Sequence, residues 1–255
     1  GWMVAFAGSG GAFAIDAGSF VVSMAAVAAI RPVAQSALPV GSTTAAIADG
    51  FRFVRSQAWL WVTLLSAAIA YLAFLGPTEA LVPFVVKNDL HASASSLGLV
   101  FAAGGIGAIG AALVMGQRGQ PRRAVTFMYA CWTLATIAVA GYGLGHSTVQ
   151  LMVACLVFNA LEAAGTIVWA TIKQRHVPRR LLGRVSSLDW MISIALLPLS
   201  YGLTAPVAAL VGARTTLVGA AVIGSAVTLA ALFAPGVRDI EARSLRGSAL
   251  RESQG

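Results

Sequence analysis

TVQLMVACLVFNALEAAGTIVWATI, residues 148–172, decides the fold. It is an apolar run interrupted by one carboxylate, Glu162. A helix rising 1.5 Å per residue needs about 20 such residues to cross a hydrocarbon core about 30 Å thick. Six further stretches have the same character, approximately 12–30, 58–86, 94–115, 124–144, 186–211 and 215–234. Isolated apolar strands cannot satisfy their backbones in lipid, and the alternating pattern of a barrel is absent. The reading is therefore all-α, a polytopic transmembrane helical bundle with seven full spans and the lipid bilayer as its solvent.

Composition agrees with that reading. Hydrophobic residues make up 58% of the 255 residues and charged ones 10%, against roughly 25% charged in a soluble domain, and the mean hydropathy is +0.83. The net charge of +8 would suggest nucleic acid in a soluble protein, but here the basic residues lie between apolar runs, so no nucleic-acid partner is expected. Cys131 and Cys155 fall inside apolar segments and support neither a disulfide framework nor a metal site.

The loops set the orientation. Arg31, Arg52 and Arg55 follow the first span; Arg118, Arg122 and Arg123 follow the third. Lys173, Arg175, Arg179, Arg180 and Arg184 follow the fifth, and Arg238, Arg243, Arg246 and Arg251 occupy the tail. Only Lys87 and Arg214 lie on the other side, so the positive-inside rule puts the basic segments and the C-terminus in the cytoplasm. Trp2 to Ala7 is too short to span and follows no basic region, so it is not expected to be a signal peptide. It reads as the last turns of a helix arriving from the cytoplasm, with Gly8-Ser9-Gly10-Gly11 as the outer turn. A chain that begins inside a larger protein is expected.

Charges within spans carry the functional information, because an ionisable residue at the bilayer centre costs roughly 2.5 to 3.5 kcal/mol and must face protein or water. Asp16 lies close to one end of its span, and Glu79 follows Gly76-Pro77, an expected break in a long segment. Glu162 is the deepest. Asn159, Glu162, Thr166 and Trp169 follow one another at helical spacing and share a face, so they are expected to line an interior. Span six has a weaker stripe, Asp189, Ser193, Ser200 and Thr204, with Pro198 expected to kink it and Asp189 expected near a loop arginine. Trp59, Trp61 and Trp190 are placed as interfacial anchors.

Other patterns carry less. Gly105-Ile-Gly107-Ala-Ile-Gly110 has the letters of a dinucleotide-binding motif but no preceding strand. With Gly98 and Gly104 it is expected to let two helices approach closely. His91, His146 and His176 have no ligand spacing, and no serine sits in a nucleophile-elbow context. No catalytic residues, cofactor or metal are expected, and the chain does not read as an enzyme.

Three segments resemble the major facilitator superfamily, in particular the branch of bacterial exporters that includes the enterobactin exporter and the macrolide-efflux proteins. Ala12-Phe13-Ala14-Ile15-Asp16-Ala17-Gly18-Ser19-Phe20 is similar to the start of the sixth helix of that branch. Asp49-Gly50-Phe51-Arg52-Phe53-Val54-Arg55 resembles its central-loop segment, and Val177-Pro178-Arg179-Arg180-Leu181-Leu182-Gly183-Arg184-Val185 its loop between helices ten and eleven. The resemblance implies helices six to twelve of a twelve-helix transporter. Residues 1–30 would hold the end of one helix plus one span of the first half, 31–57 the cytoplasmic central loop, 58–234 the six-helix second half, and 235–255 a basic tail.

The implied function is proton-coupled export of a small molecule such as a drug or siderophore across the bacterial inner membrane. Two halves would rock around a midplane site, so the partners implied are the missing N-terminal half, the substrate and protons. Glu162, Asn159, Thr166, Trp169, Glu79 and Asp16 are the candidate substrate and proton residues; Arg118, Arg122, Arg123, Arg179, Arg180 and Arg184 are the candidate cytoplasmic gate. The loop Gly116-Gln117-Arg118-Gly119-Gln120-Pro121-Arg122-Arg123 keeps the glycines and bases of the superfamily's gating motif but lacks its aspartate. Two rival readings share the topology. A seven-span receptor or retinal protein is opposed by the absence of a lysine in the last span, and an intramembrane lipid enzyme requires Glu79 and Glu162 to meet.

Overall fold

The structure, a computed structural model, describes residues 2–29 and 43–242. Arg31, Arg243, Arg246 and Arg251 lie outside the described residues, as do most of the expected central loop before Thr43 and the tail beyond Ala242. The described chain is all-α. Its helices are α1 (Trp2–Ala29), α2 (Thr43–Ser56), α3 (Ala58–Phe84, extended by a π-helical turn at Val85–Asp89), α4 (Ala94–Arg118), α5 (Ala124–Ala138), α6 (Ala140–Leu144), α7 (Thr148–His176), α8 (Arg179–Ile194), α9 (Leu197–Val211) and α10 (Ala213–Leu232).

Six helical segments among the described residues are long and apolar enough to cross a membrane, one fewer than expected: Ala58–Asp89, Ala94–Arg118, Ala124–Leu144, Thr148–His176, Arg179–Val211 and Ala213–Leu232. The apolar part of α1 is Phe13–Ala29, about 25 Å at the helical rise and short of the hydrocarbon thickness. The outer turn expected at Gly8-Ser9-Gly10-Gly11 is absent, because α1 continues through it. Glycine costs about 1 kcal/mol relative to alanine inside a helix. Continuing the helix keeps the backbone groups of these residues paired within α1.

Local chemistry sets the helix ends. Ser93 accepts from the Ser96 N–H at the start of α4, and Ser147 accepts from the Gln150 N–H at the start of α7. Gly119 (φ 70°) ends α4 and Gly212 (φ 88°) separates α9 from α10, backbone conformations that glycine adopts without a Cβ penalty. α5 starts on a borrowed cap. Glu241, from the beginning of the tail, accepts from the Thr126 N–H at 2.9 Å and the Thr126 hydroxyl at 3.0 Å, placing negative charge at a helix N-terminus. Val237, Ile240 and Glu241 are buried, so the start of the tail is docked on the bundle.

Neither proline acts as a simple break. α3 runs through Pro77, and the expected interruption at Gly76-Pro77 becomes a helix crossing, where the Gly76 N–H donates to Ser200 Oγ of α9 at 2.9 Å. A Cβ on Gly76 would lie 2.6 Å from Ser200. Pro198 lies in the first turn of α9, just after the chain leaves the helix at Ala195-Leu196, as its missing N–H permits.

α7 is a central element, packed on α4 and α5. The glycines of α4 divide sharply. A Cβ on Gly107 would lie 2.2 Å from the Leu156 carbonyl oxygen and one on Gly104 2.6 Å from the Asn159 amide, whereas Gly105 and Gly110 meet nothing within 4 Å. Gly107→Ala is therefore expected to destabilise the bundle by about 1 to 3 kcal/mol through overpacking, with Gly105→Ala neutral or slightly stabilising. Thermal unfolding of the two variants in one detergent checks this; equal midpoints would count against the close α4–α7 approach.

Candidate functional site

Two buried apolar clusters hold the bundle. One gathers Leu60, Tyr129, Val168, Ile172 and Val185; the other gathers Phe74, Val86, Val139, Leu151 and Leu217. Between them lies a cavity of about 270 Å³ whose wall includes Trp169 of the first cluster and Phe74 of the second. It is lined by side chains of α3, α5, α7, α8 and α10. Its charged lining residues are Glu162, Lys173 and Asp189.

α7 supplies most of the chemistry. Glu162 is half-buried, and its Oε1 accepts from the Thr166 hydroxyl at 2.8 Å. Trp169, one turn further, donates from Nε1 to Asp189 Oδ2 of α8 at 2.9 Å. Lys173 Nζ forms an ion pair with the same Asp189 oxygen and lies 5.2 Å from the Trp169 ring centroid, within cation–π range. Ser193 Oγ donates to Asp189 Oδ1 at 3.4 Å. The stripe of α7 thus reads Glu162, Thr166, Trp169 and Lys173.

Lys173 is the residue that sequence reasoning misplaced. It was grouped with the loop bases after span five, yet it lies inside α7 at 9% exposure. Asp189, 8% exposed, pairs with it instead of with a loop arginine. The spacing held the signal, since Lys173 is four residues beyond Trp169 and so falls on the same helix face.

The other candidates separate. Asn159 does not line the cavity; it donates to the Cys155 carbonyl at 2.9 Å and lies against Gly104 of α4. The missing Cβ of Gly104 brings α4 close enough to cover it. Glu79 is exposed and outside the cavity, so it does not meet Glu162 there, and Asp16 is exposed on α1. Arg118, Arg122, Arg123, Arg179, Arg180 and Arg184 are all exposed and join none of the ion pairs among the described residues.

The aromatic wall was only partly foreseen. Trp59, expected as an interfacial anchor, is 6% exposed and packs edge-on against Trp169 at 5.8 Å. Trp190 lines the cavity while remaining 69% exposed. Trp132 crosses α7 at Gly165, where a Cβ would lie 2.6 Å from the indole nitrogen. Tyr71, Phe74 and Phe158 complete the rings. Among the described residues no group of three His, Cys, Asp or Glu side chains is placed to hold a metal ion.

A polytopic helical bundle with an aromatic, ionisable cavity between its membrane-spanning segments is built as a membrane transporter. The chain matches the transmembrane secretion effector family of the major facilitator superfamily over residues 1–253, and it belongs to that family. No curated protein and no solved structure matches it.

Proposed function

We propose that this protein exports a small molecule in exchange for protons, with Glu162 as the exchanging group. The observation that carries the proposal is the Glu162 carboxylate itself. It lines the cavity with a hydroxyl partner, Thr166, and no cation paired to it among the described residues. A carboxylate there is neutralised by a proton or by a positively charged group of a substrate, and occupancy by one excludes the other. That competition is what antiport requires. Resemblance of the segments around Asp16, Asp49 and Val177 to the enterobactin and macrolide exporters supports export as the direction.

The cavity wall contains exposed side chains, Thr166 and Trp190. A polar wall is disfavoured against lipid, so we assign the open side to a second helical half, with alternating access between the two. The basic loops favour the Arg179–Arg184 segment and the C-terminus in the cytoplasm, and the resemblance to bacterial exporters favours a bacterial inner membrane. On that topology the six candidate gate arginines meet acidic groups or helix C-termini of the other half, or anionic lipid.

The function is tested in proteoliposomes that hold this chain together with the second helical half, under an imposed pH gradient, where movement of a compact cationic dye should follow the gradient and collapse when it is dissipated. Movement unaffected by the gradient would remove proton coupling. The topology is tested by a cysteine at Arg179 in a Cys131→Ala, Cys155→Ala background. It should resist an impermeant thiol reagent in intact cells and react after lysis; labelling from outside would invert the bundle.

A further inference from the structure

We propose that Lys173 sets the charge number of the ligand: by cancelling Asp189 it leaves Glu162 as the single uncompensated charge, so the cavity selects aromatic organic monocations over dications. The proposal rests on the reading of this cavity as the substrate site.

Its support is the unequal treatment of two carboxylates. Asp189 accepts from Lys173, Trp169 and Ser193, and the side chains of the ion pair are each 11% exposed. Seen from the cavity, the pair is a dipole with no net charge. Glu162 has one neutral donor, Thr166, and lies on α7 about 16 Å along the helix axis from Lys173. A ligand cation is therefore drawn to the Glu162 end, where a desolvated positive charge finds a full counter-charge. A second positive charge on the ligand meets Asp189 already satisfied and the Lys173 ammonium beside it. It would be desolvated without a partner, which is strongly unfavourable. The rings of Tyr71, Trp132, Phe158 and Trp169 line the cavity, and flat apolar cations fit such walls through dispersion and cation–π attraction. The cavity volume of about 270 Å³ is close to the lower end of the roughly 300–1,000 Å³ of small-molecule sites, so a compact ligand is implied.

The test is binding of two flat probes of matched size, N-methyl-4-phenylpyridinium as monocation and methyl viologen as dication, to the purified transporter in lipid nanodiscs, read by equilibrium dialysis against empty nanodiscs. The wild type should favour the monocation by more than about tenfold, the scale expected for leaving one charge unpaired. Lys173→Met leaves two acids and should reverse the preference. Lys173→Met combined with Asp189→Asn removes both members of the pair and should return it to that of the wild type. Asp189→Asn alone keeps a side chain that accepts from Lys173 and Trp169, so it tests the rule even where Lys173→Met fails to fold. It leaves no net charge and should lose monocation affinity as Glu162→Gln does, although Glu162 is intact.

A wild type that favours the dication overturns the proposal. So does an Asp189→Asn variant with wild-type monocation affinity, or a failure of both cations to bind. Flux assays separate this from the transport reading. Binding that obeys the charge rule without gradient-driven flux supports the rule and sinks antiport, whereas gradient-driven flux with the same cation preference in every variant sinks the rule alone.

Discussion

Glu162→Gln is expected to reduce gradient-driven export to background while the protein still folds and inserts. The amide keeps the shape of the carboxylate and still accepts from Thr166, whose bond at 2.8 Å is preserved, but it neither takes up a proton nor balances a cation. Glu162→Asp, shorter by one methylene, should retain part of the activity because the charge remains on the same face of α7. Facilitated, gradient-independent movement in the Gln variant would be consistent with an intact pathway that has lost its coupling. Export at the wild-type rate, with an unchanged response to the gradient, would make Glu162 a packing residue and move the proton site elsewhere.

The second large effect is on stability. Lys173→Ala removes one member of a buried pair and leaves the Asp189 charge with only the neutral donors Trp169 and Ser193, and breaking such a pair typically costs about 3 to 5 kcal/mol. Removing both members, as in Lys173→Met with Asp189→Leu, should cost far less and can be neutral, because the pair itself returns little beyond its own desolvation. Fluorescence-detected thermal unfolding of the single and double variants in one detergent checks the order. If the single variant were as stable as the wild type, the Lys173–Asp189 contact would be solvated and its place in the cavity wall would be wrong.

The spans were legible because continuous apolar runs leave helices as the only structure lipid permits, and α3, α4, α5–α6, α7, α8–α9 and α10 follow those runs within a few residues, except that α8 begins at Arg179, seven residues before its run. The cavity was legible in part, since helical spacing alone put Glu162, Thr166 and Trp169 on one face. What spacing cannot supply is the identity of the facing helix. Asn159 shares the stripe but is claimed by α4 through the gap that Gly104 leaves, and Trp59 looked interfacial until Trp169 was found beside it. Lys173 was missed for a related reason. Counting bases by loop assigns every cation near a span end to water, and only the position of Asp189 on α8 shows that this one is held inside. The Gly8–Gly11 segment failed in the opposite direction, because local turn propensity yields to the backbone pairing of a continuous helix.

Gly165 links packing to the same site. Trp132 lies across α7 only because Gly165 has no side chain, and Trp132 in turn meets Trp169 and Tyr129 edge-on, at 6.3 and 6.0 Å. The aromatic wall is thus one connected set of rings, running from the Thr63–Tyr129 hydrogen bond to the Lys173–Asp189 pair.

The central claim is that a proton and a ligand cation compete for Glu162. It is tested most directly by adding N-methyl-4-phenylpyridinium to the weakly buffered, purified protein at a pH where the ligand-free site holds its proton, and following pH with an indicator dye. The account predicts proton release that saturates with ligand binding in the wild type and is absent in Glu162→Gln. Saturable binding with no proton release at any pH, or release that persists in Glu162→Gln, would contradict it.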